Sequence, residues 1–299
     1  MQFMDEPALM KPCPLCRCVD HHLFDQRISF GVPVRYAICD FCGFVFQPVD
    51  KLLQELDDFY SAGYRLIYQG SEAPTTKDRL IQSARAAHLA GLLEANRIPS
   101  IQRALDVGSS AGIFMLKLHE RFGCQAVGIE PGSAYRQQAQ DQGLLVYPSL
   151  AEMAAVENSR FNLISLVHVL EHLPDPLETL TELRRKWLAP DGWLLLEVPN
   201  LYTHDSLELA HLSAFSWHSL RQMAARAGFS VVWLGAHGQP RSRLLKLYIT
   251  LLAKPTAEDQ VVPAVQPERQ VRFKRQAGLA YRKVIERLMP SLAWLPFQS

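Results

Sequence analysis

Apolar positions recur along this chain at two spacings. Within residues 51–98, KLLQELDDFYSAGYR and TKDRLIQSARAAHLAGLLEANRI place them three and four residues apart, which predicts helices ending at Pro99, with Tyr60 and Tyr64 near a joint. From residue 103 onward, short apolar runs alternate with helical stretches. RALDV and QAVGIE, then residues 144–147, 161–167, 193–198, 229–234 and part of 244–252, predict seven strands. Strands alternating with helices imply an α/β fold around a parallel sheet with right-handed crossovers. The Asp175-Pro176 pair marks a helix start, and Ala189-Pro190-Asp191-Gly192 is expected to stop that helix. Ahead of all this, RISFGVPVRYAIC carries β-branched and aromatic residues around Gly31 and Pro33, a hairpin pattern.

Cysteine spacing adds a separate module. Cys13 and Cys16 in CPLC, and Cys39 and Cys42 in CDFC, form two Cys-x-x-Cys pairs, while Cys18 stands as a bystander and Cys124 alone. Two such pairs read as a structural zinc ribbon, because tetrahedral zinc takes four thiolates at about 2.3 Å and a closed site of this kind holds a fold without doing chemistry. So small a segment buries little, so metal binding supplies its folding free energy. The expected organisation is a zinc-ribbon module at 1–50, a helical connector at 51–98, the main α/β domain at 99–254, and a linker with a basic C-terminal helix at 255–299.

Composition narrows the class. The 299 residues are 48% apolar and 20% charged, which is globular. The 31 Lys and Arg against 30 Asp and Glu give a net charge of +1, so no bulk field holds nucleic acid by counterion release. The N-terminus has no apolar signal core and residues 244–253 are too short to span a bilayer, so a cytoplasmic protein is expected. The tail RQVRFKRQAGLAYRKVIERLMPSLAWLPF carries seven Lys or Arg against the single acid Glu286. It predicts a basic amphipathic helix ending in Trp294 and Phe297, which docks on its own domain or a second subunit, or rests on an anionic membrane surface or partner.

The most informative stretch is RALDVGSSAGIFMLKL: a strand, a turn with Asp106, Gly108 and Gly112, then an amphipathic helix. Glycines allow close backbone approach, and free N–H groups at a helix start favour a negative ligand group. Glu130, ending the next strand, is placed to accept hydrogen bonds from both hydroxyls of a ribose. With the acid at 106 and two glycines four positions apart, the stretch differs from a dinucleotide fingerprint and resembles the class I S-adenosylmethionine-dependent methyltransferases. Their loops often carry a middle glycine where Ser110 stands. The resemblance implies a Rossmann-like seven-stranded sheet. It assigns Asp106 to the loop and the methionyl amino end of the cofactor, Gly108, Ser109, Ser110 and Gly112 to its backbone approach, and Glu130 to the ribose.

Strand four runs into HVLEHLPDP, residues 168–176, at the carboxyl edge where open α/β sheets bind ligands. That nonapeptide, with HLSAFSWHSL and ARAGF farther on, resembles the subfamily that includes ubiquinone-biosynthesis and sugar methyltransferases. Methyl transfer to a hydroxyl needs the acceptor held in line and its proton removed. His172 is the first candidate base and His211 the second, with Glu171 beside them, while His168 lines the cofactor pocket. Some relatives hold a divalent ion with a Glu-x-x-Glu-His pattern and a later His; here His168 replaces the first Glu, which weakens the case for magnesium at Glu171, His172 and His211. The resemblance implies transfer to a hydroxyl or carbon of a small polar metabolite, with a sugar nucleotide or polysaccharide precursor leading. RNA methylation, or a non-enzymatic zinc-ribbon adaptor, is the alternative.

Overall fold

A computed structural model of the chain describes residues 11–29, 31–48, 75–98, 100–257 and 263–295. The helical expectation for residues 51–74 with Tyr60 and Tyr64, the Pro99 boundary and Phe297 all lie outside the described residues.

Seven strands form the main sheet: β4 (Arg103–Val107), β5 (Gln125–Ile129), β6 (Leu145–Tyr147), β7 (Phe161–Val167), β8 (Leu188–Pro199), β10 (Phe229–His237) and β11 (Tyr248–Pro255). Their order is β10-β11-β8-β7-β4-β5-β6. The pairs β4 with β5, β4 with β7, β5 with β6 and β7 with β8 are parallel. The expectation of a wholly parallel sheet needs one correction, because β11 pairs antiparallel with both β8 and β10. It enters from the loop after β10 by a direct return, with no crossover helix to reverse the chain. Central strands are covered on both faces, so they read as unbroken apolar runs: Leu194, Leu195 and Leu196 of β8 and Leu251 and Leu252 of β11 are fully buried.

Helices α1 (Thr76–Ala95), α2 (Ile113–Phe122), α3 (Ser133–Asp141), α4 (Leu150–Ala154), α5 (Pro176–Glu182) and α6 (Trp217–Arg226) flank this sheet. A reciprocal capping box starts α1, in which Thr75 accepts from the Asp78 amide and Asp78 accepts from the Thr75 amide. Asp175 caps α5 with Pro176 in its first turn, as the sequence predicts. The expected stop at residues 189–192 falls differently. The helix ends in a π turn at Leu183–Trp187, and the chain enters β8 already at Leu188, pairing with Phe161.

A second sheet, β1-β2-β3-β9, joins the hairpin β1 (His21–Ser29) and β2 (Val32–Cys39) to β3 (Val45–Phe46) and to β9 (Ser213–Ala214). The cysteine module is thus completed by two residues from the main domain: Val45 pairs with Ala214 and Phe46 with Ser213. Residues 263–268, expected within a linker, lie against both bodies. The Glu268 amide donates to the Cys42 carbonyl, and the Gln266 amide to Gln222. Helices α7 (Val271–Leu288) and α8 (Pro290–Ala293) close the described chain.

Candidate active site

The four paired cysteines meet as their spacing implies. Cys13, Cys16, Cys39 and Cys42 bring their sulfurs within 4.8 Å of one another, with Cys13 to Cys42 and Cys16 to Cys39 both at 3.5 Å. Tetrahedral zinc with bonds of about 2.3 Å sets its sulfurs about 3.8 Å apart, so the set fits that ion. Hydrogen bonds from neighbouring sulfurs, and burial, push the Cys13 and Cys42 thiols up, so sulfurs this close are neutralised either by protons or by a cation. Gly43, at φ +75°, closes the second turn, where a Cβ would stand 2.4 Å from the Glu268 carbonyl oxygen. Cys18 stays apart, its sulfur 3.8 Å from the Asp20 carbonyl.

Above the carboxyl ends of β4, β5, β7 and β8 opens a cavity of about 810 Å³. Its first half is the turn after β4. Gly108 and Ser109 donate their amides to the Ile129 carbonyl, which folds the loop over β5. Gly108 sits at φ +76°, and a Cβ there would come 2.2 Å from a Val169 methyl, so only glycine lets the loop lie this close to the reaction edge. Ser110 also takes a left-handed conformation, φ +52°, at the place where glycine is expected; a side chain there carries local strain.

Glu130 accepts from the Ser110 amide at 2.9 Å through one oxygen and from the Gly132 amide at 2.8 Å through the other. The two amides hold the carboxylate at the cavity wall. Asp106 is buried and accepts from the Ser165 hydroxyl at 2.7 Å. Burial pushes its carboxyl up to about 7; Ser165 opposes that shift and Glu130 adds to it. The Ser109 hydroxyl is buried on the cavity wall with no hydrogen-bond partner, and the N-terminus of α2 opens beside it. The unpaired Ser109 hydroxyl, the Asp106 carboxyl and the Glu130 carboxylate on one wall are groups of the chemistry that the methionyl and ribose ends of S-adenosylmethionine would take.

The other half is built from imidazoles and carboxylates. His168 follows β7 at φ +56°, between two buried acids, with Nδ1 3.4 Å from Glu171 and Nε2 3.2 Å from Glu197. His172 Nδ1 lies 2.9 Å from the Ala210 carbonyl and His211 Nδ1 lies 2.7 Å from the Ser206 carbonyl. A carbonyl only accepts, so both rings carry a proton on Nδ1, and His211 turns its Nε2 to the Glu208 carboxyl at 3.2 Å. The rings stand edge to face with centroids 4.7 Å apart. Burial, then His211, lowers His172 to about 4, so its imidazole is neutral at pH 7.

Glu171 is buried beside them, and neither of its oxygens has a hydrogen bond. Burial alone would raise its carboxyl, but His168 and then the charge of His172 bring it down to about 2. Glu171, His172 and His211 place their ligand atoms within 4.8 Å of one another.

Every sequence-predicted site residue of the main domain except Gly112 therefore lines this cavity; Gly112, at φ +77°, closes the turn against Leu144 and Ala139. Sequence reasoning missed others. Glu197 is fully buried on β8, 2.9 Å from Arg85 of α1 and 3.3 Å from His237, and it accepts from Thr250 at 2.9 Å. Burial alone would raise it, but the His168 and His237 imidazoles and Arg85 hold it well below the usual carboxylate range. An acid inside WLLLEVP was the available signal. Glu208, 3.2 Å from His211 Nε2, sits among the cavity residues with a carboxyl raised by burial.

Tyr36 and Gln47 of the cysteine module were also missed. The Tyr36 hydroxyl reaches the carbonyls of Glu208, at 2.8 Å, and His211, and the Gln47 amide reaches those of Leu209 at 3.0 Å and His211 at 2.8 Å. No sequence pattern marks them, because their partners lie far along the chain.

Solved structures with similar folds include a S-adenosylmethionine-dependent methyltransferase from Archaeoglobus fulgidus, at 16% identity over 56% of this chain and 94% of that one, TM-score 0.47. Magnesium protoporphyrin IX methyltransferase from Synechocystis aligns at 16% identity over 70% and 98%, TM-score 0.47. The 1,6-didemethyltoxoflavin-N1-methyltransferase of Burkholderia thailandensis aligns at 17% over 72% and 96%, TM-score 0.49. No curated protein matches the sequence. The family model described as a methyltransferase domain matches residues 78–234, a span that holds the loop after β4, Glu130 and the histidines of the reaction edge. With more than half of its length in that match, the chain belongs to the methyltransferase domain family and is a class I S-adenosylmethionine-dependent methyltransferase.

Proposed function

We propose that this enzyme methylates a hydroxyl or carbon of a small polar metabolite, a sugar nucleotide or polysaccharide precursor, with residues 1–50 as a structural zinc ribbon and 99–254 as the catalytic domain. The observation that carries the reading is the shared cavity. It sets Asp106, Gly108, Ser109 and Ser110, with Glu130, opposite the imidazoles of His172 and His211. When bound, the cofactor supplies the sulfonium methyl group. Asp106 holds its ammonium, Glu130 its ribose, and His168 the wall between cofactor and acceptor.

His172 is the base for the acceptor proton. Its Nδ1 is fixed on Ala210, its Nε2 is free of a proton at pH 7, and Glu171 stabilises the imidazolium that forms. The far wall supports a polyhydroxylated, anionic acceptor, since Asp205, Glu208 and His204 offer hydrogen-bonding groups and Arg241 is an exposed guanidinium at the same cavity. An RNA acceptor is disfavoured by the net charge of +1.

The clustering of their ligand atoms within 4.8 Å favours a second reading in which Glu171, His172 and His211 would hold a divalent cation that would act as a Lewis acid on the acceptor. Incubation of the enzyme and radiolabelled cofactor with nucleotide sugars or RNA, followed by product mapping, tests the acceptor. His172→Asn should cut turnover by about 10² to 10⁴ while leaving cofactor affinity intact. Label carried only by RNA would overturn the acceptor class. Turnover that survives chelation and is lost in His172→Asn favours the base over the cation.

A further inference from the structure

The helix α7 has one face tied down and one face bare. On the inner face, Val271 and Arg275 are buried. Arg275 reaches the Leu201 carbonyl and lies 3.2 Å from Asp205, Arg282 pairs with Glu286 at 2.8 Å and reaches the Thr203 carbonyl, and Ile285 packs on Leu245, Leu247 and Tyr248. On the outer face Phe273 is 68% exposed, Tyr281 49%, Val284 51% and Leu288 69%. At 3.6 residues per turn, these four with Ala277 fall within an arc of about 80°, and residues 273 to 288 extend it for about 22 Å. Past the end of α7, Met289, Leu292 and Trp294 are also partly exposed, with Trp294 turned to the inner side under Arg282.

Cations lie mainly along one edge of this stripe. Arg287 and Lys283 are exposed there, with Arg272 next to them bonded to the Leu23 and Phe24 carbonyls; Lys274 on the other edge pairs with Glu268 at 3.1 Å, and the lone acid of the helix, Glu286, is paired on the opposite side. The helix is too short and polar to cross a bilayer, and among the described residues no helix is long and apolar enough to do so. An amphipathic helix that presents an aromatic and aliphatic stripe beside cations fits the interface of an anionic bilayer, where the side chains enter the acyl boundary and the cations meet lipid phosphates. A second copy of the same face fits poorly, because an antiparallel two-fold pairing would set this cationic edge against its copy. We propose that α7 docks the enzyme onto an anionic lipid surface, lying in its plane.

Flotation of the full chain with phosphatidylcholine vesicles, with and without phosphatidylglycerol, tests this. Binding is expected only with phosphatidylglycerol and is expected to fall as salt rises. Lys283→Glu with Arg287→Glu should lower it by about 25-fold or more, at about fivefold for each cation lost. Phe273→Ser with Leu288→Ser should abolish it. All four side chains are exposed, so circular dichroism and cofactor calorimetry of both variants should match the parent. Overturning results are failure to float with anionic vesicles, flotation unchanged in either variant, or a concentration-dependent dimer that the same substitutions dissolve.

Discussion

Gln47→Ala, with Tyr36→Phe beside it, asks whether the cysteine module holds the reaction edge in place. The segment 208–214 carries His211 and the Ala210 carbonyl that fixes His172, and it is gripped from the module at several points. The Gln47 side-chain amide donates to the carbonyls of Glu208, Leu209 and His211, the Gln47 backbone amide to Leu212 at 2.9 Å, and the Tyr36 hydroxyl to Glu208 and His211. Burial raises Tyr36 far above an ordinary phenol, so it stays a donor at every working pH.

An amide has two hydrogens and a hydroxyl one, so at most three of these side-chain bonds are fully formed at once. Tyr36→Phe leaves Gln47 to cover the carbonyls and should cost about 1 kcal/mol; Gln47→Ala leaves buried carbonyls without a donor and should cost about 2 to 3 kcal/mol. For a chain of this size that lowers the melting temperature by about 2 to 4 °C per kcal/mol. Hydrogen exchange should show lost protection confined to residues 208–214. With His211 displaced by about 1 Å, turnover should drop by about 10²-fold while zinc content and cofactor affinity hold, since the Asp106 loop lies elsewhere. Faster exchange spread over β4 to β8, or full turnover in a destabilised Gln47→Ala, would refute the reasoning.

Other outcomes follow from the same geometry. Glu130→Ala removes the anchor of the Ser110 and Gly132 amides and, in the proposed role, the ribose acceptor, and should weaken the cofactor by about 10- to 100-fold in calorimetry, because hydrogen bonds to a charged group are worth about 1.5 to 3 kcal/mol. Burial raises the Asp106 carboxyl to about 7; in its proposed role it would ionise to pair with the cofactor's ammonium, so binding should release a proton. Affinity should therefore rise by about tenfold per pH unit from pH 5 and level off above 7, a dependence that Asp106→Asn abolishes. Cys39→Ser should release zinc, measured by metal analysis, and lower the melting temperature of the module.

How far the sequence reached depended on whether a signal was local. The two Cys-x-x-Cys pairs, the hairpin around Gly31, the strand at Phe161–Val167 and the loop after β4 all follow from neighbours within a few residues, and each forms as expected. Strand β9 has only Ser213 and Ala214, too short to show any period, and it exists because β3 needs a partner. The start of β8 at Leu188 was hidden by Pro190 and Gly192, whose turn-like composition is overridden by pairing with β7. Within the site, Asp106, Glu130 and His172 announce themselves beside turns. Arg85 looks like any helix surface cation until Glu197 faces it.

The pairing of β3 with β9 also orders events during synthesis. Residues 45 and 46 leave the ribosome long before residues 213 and 214, so the cysteine ribbon can form early while one edge of its small sheet stays bare. That edge is satisfied only when the reaction edge has itself been made, so the nascent ribbon waits with open backbone amides. A chaperone or a neighbouring nascent chain that finds it in this interval meets a strand template which the finished enzyme no longer offers.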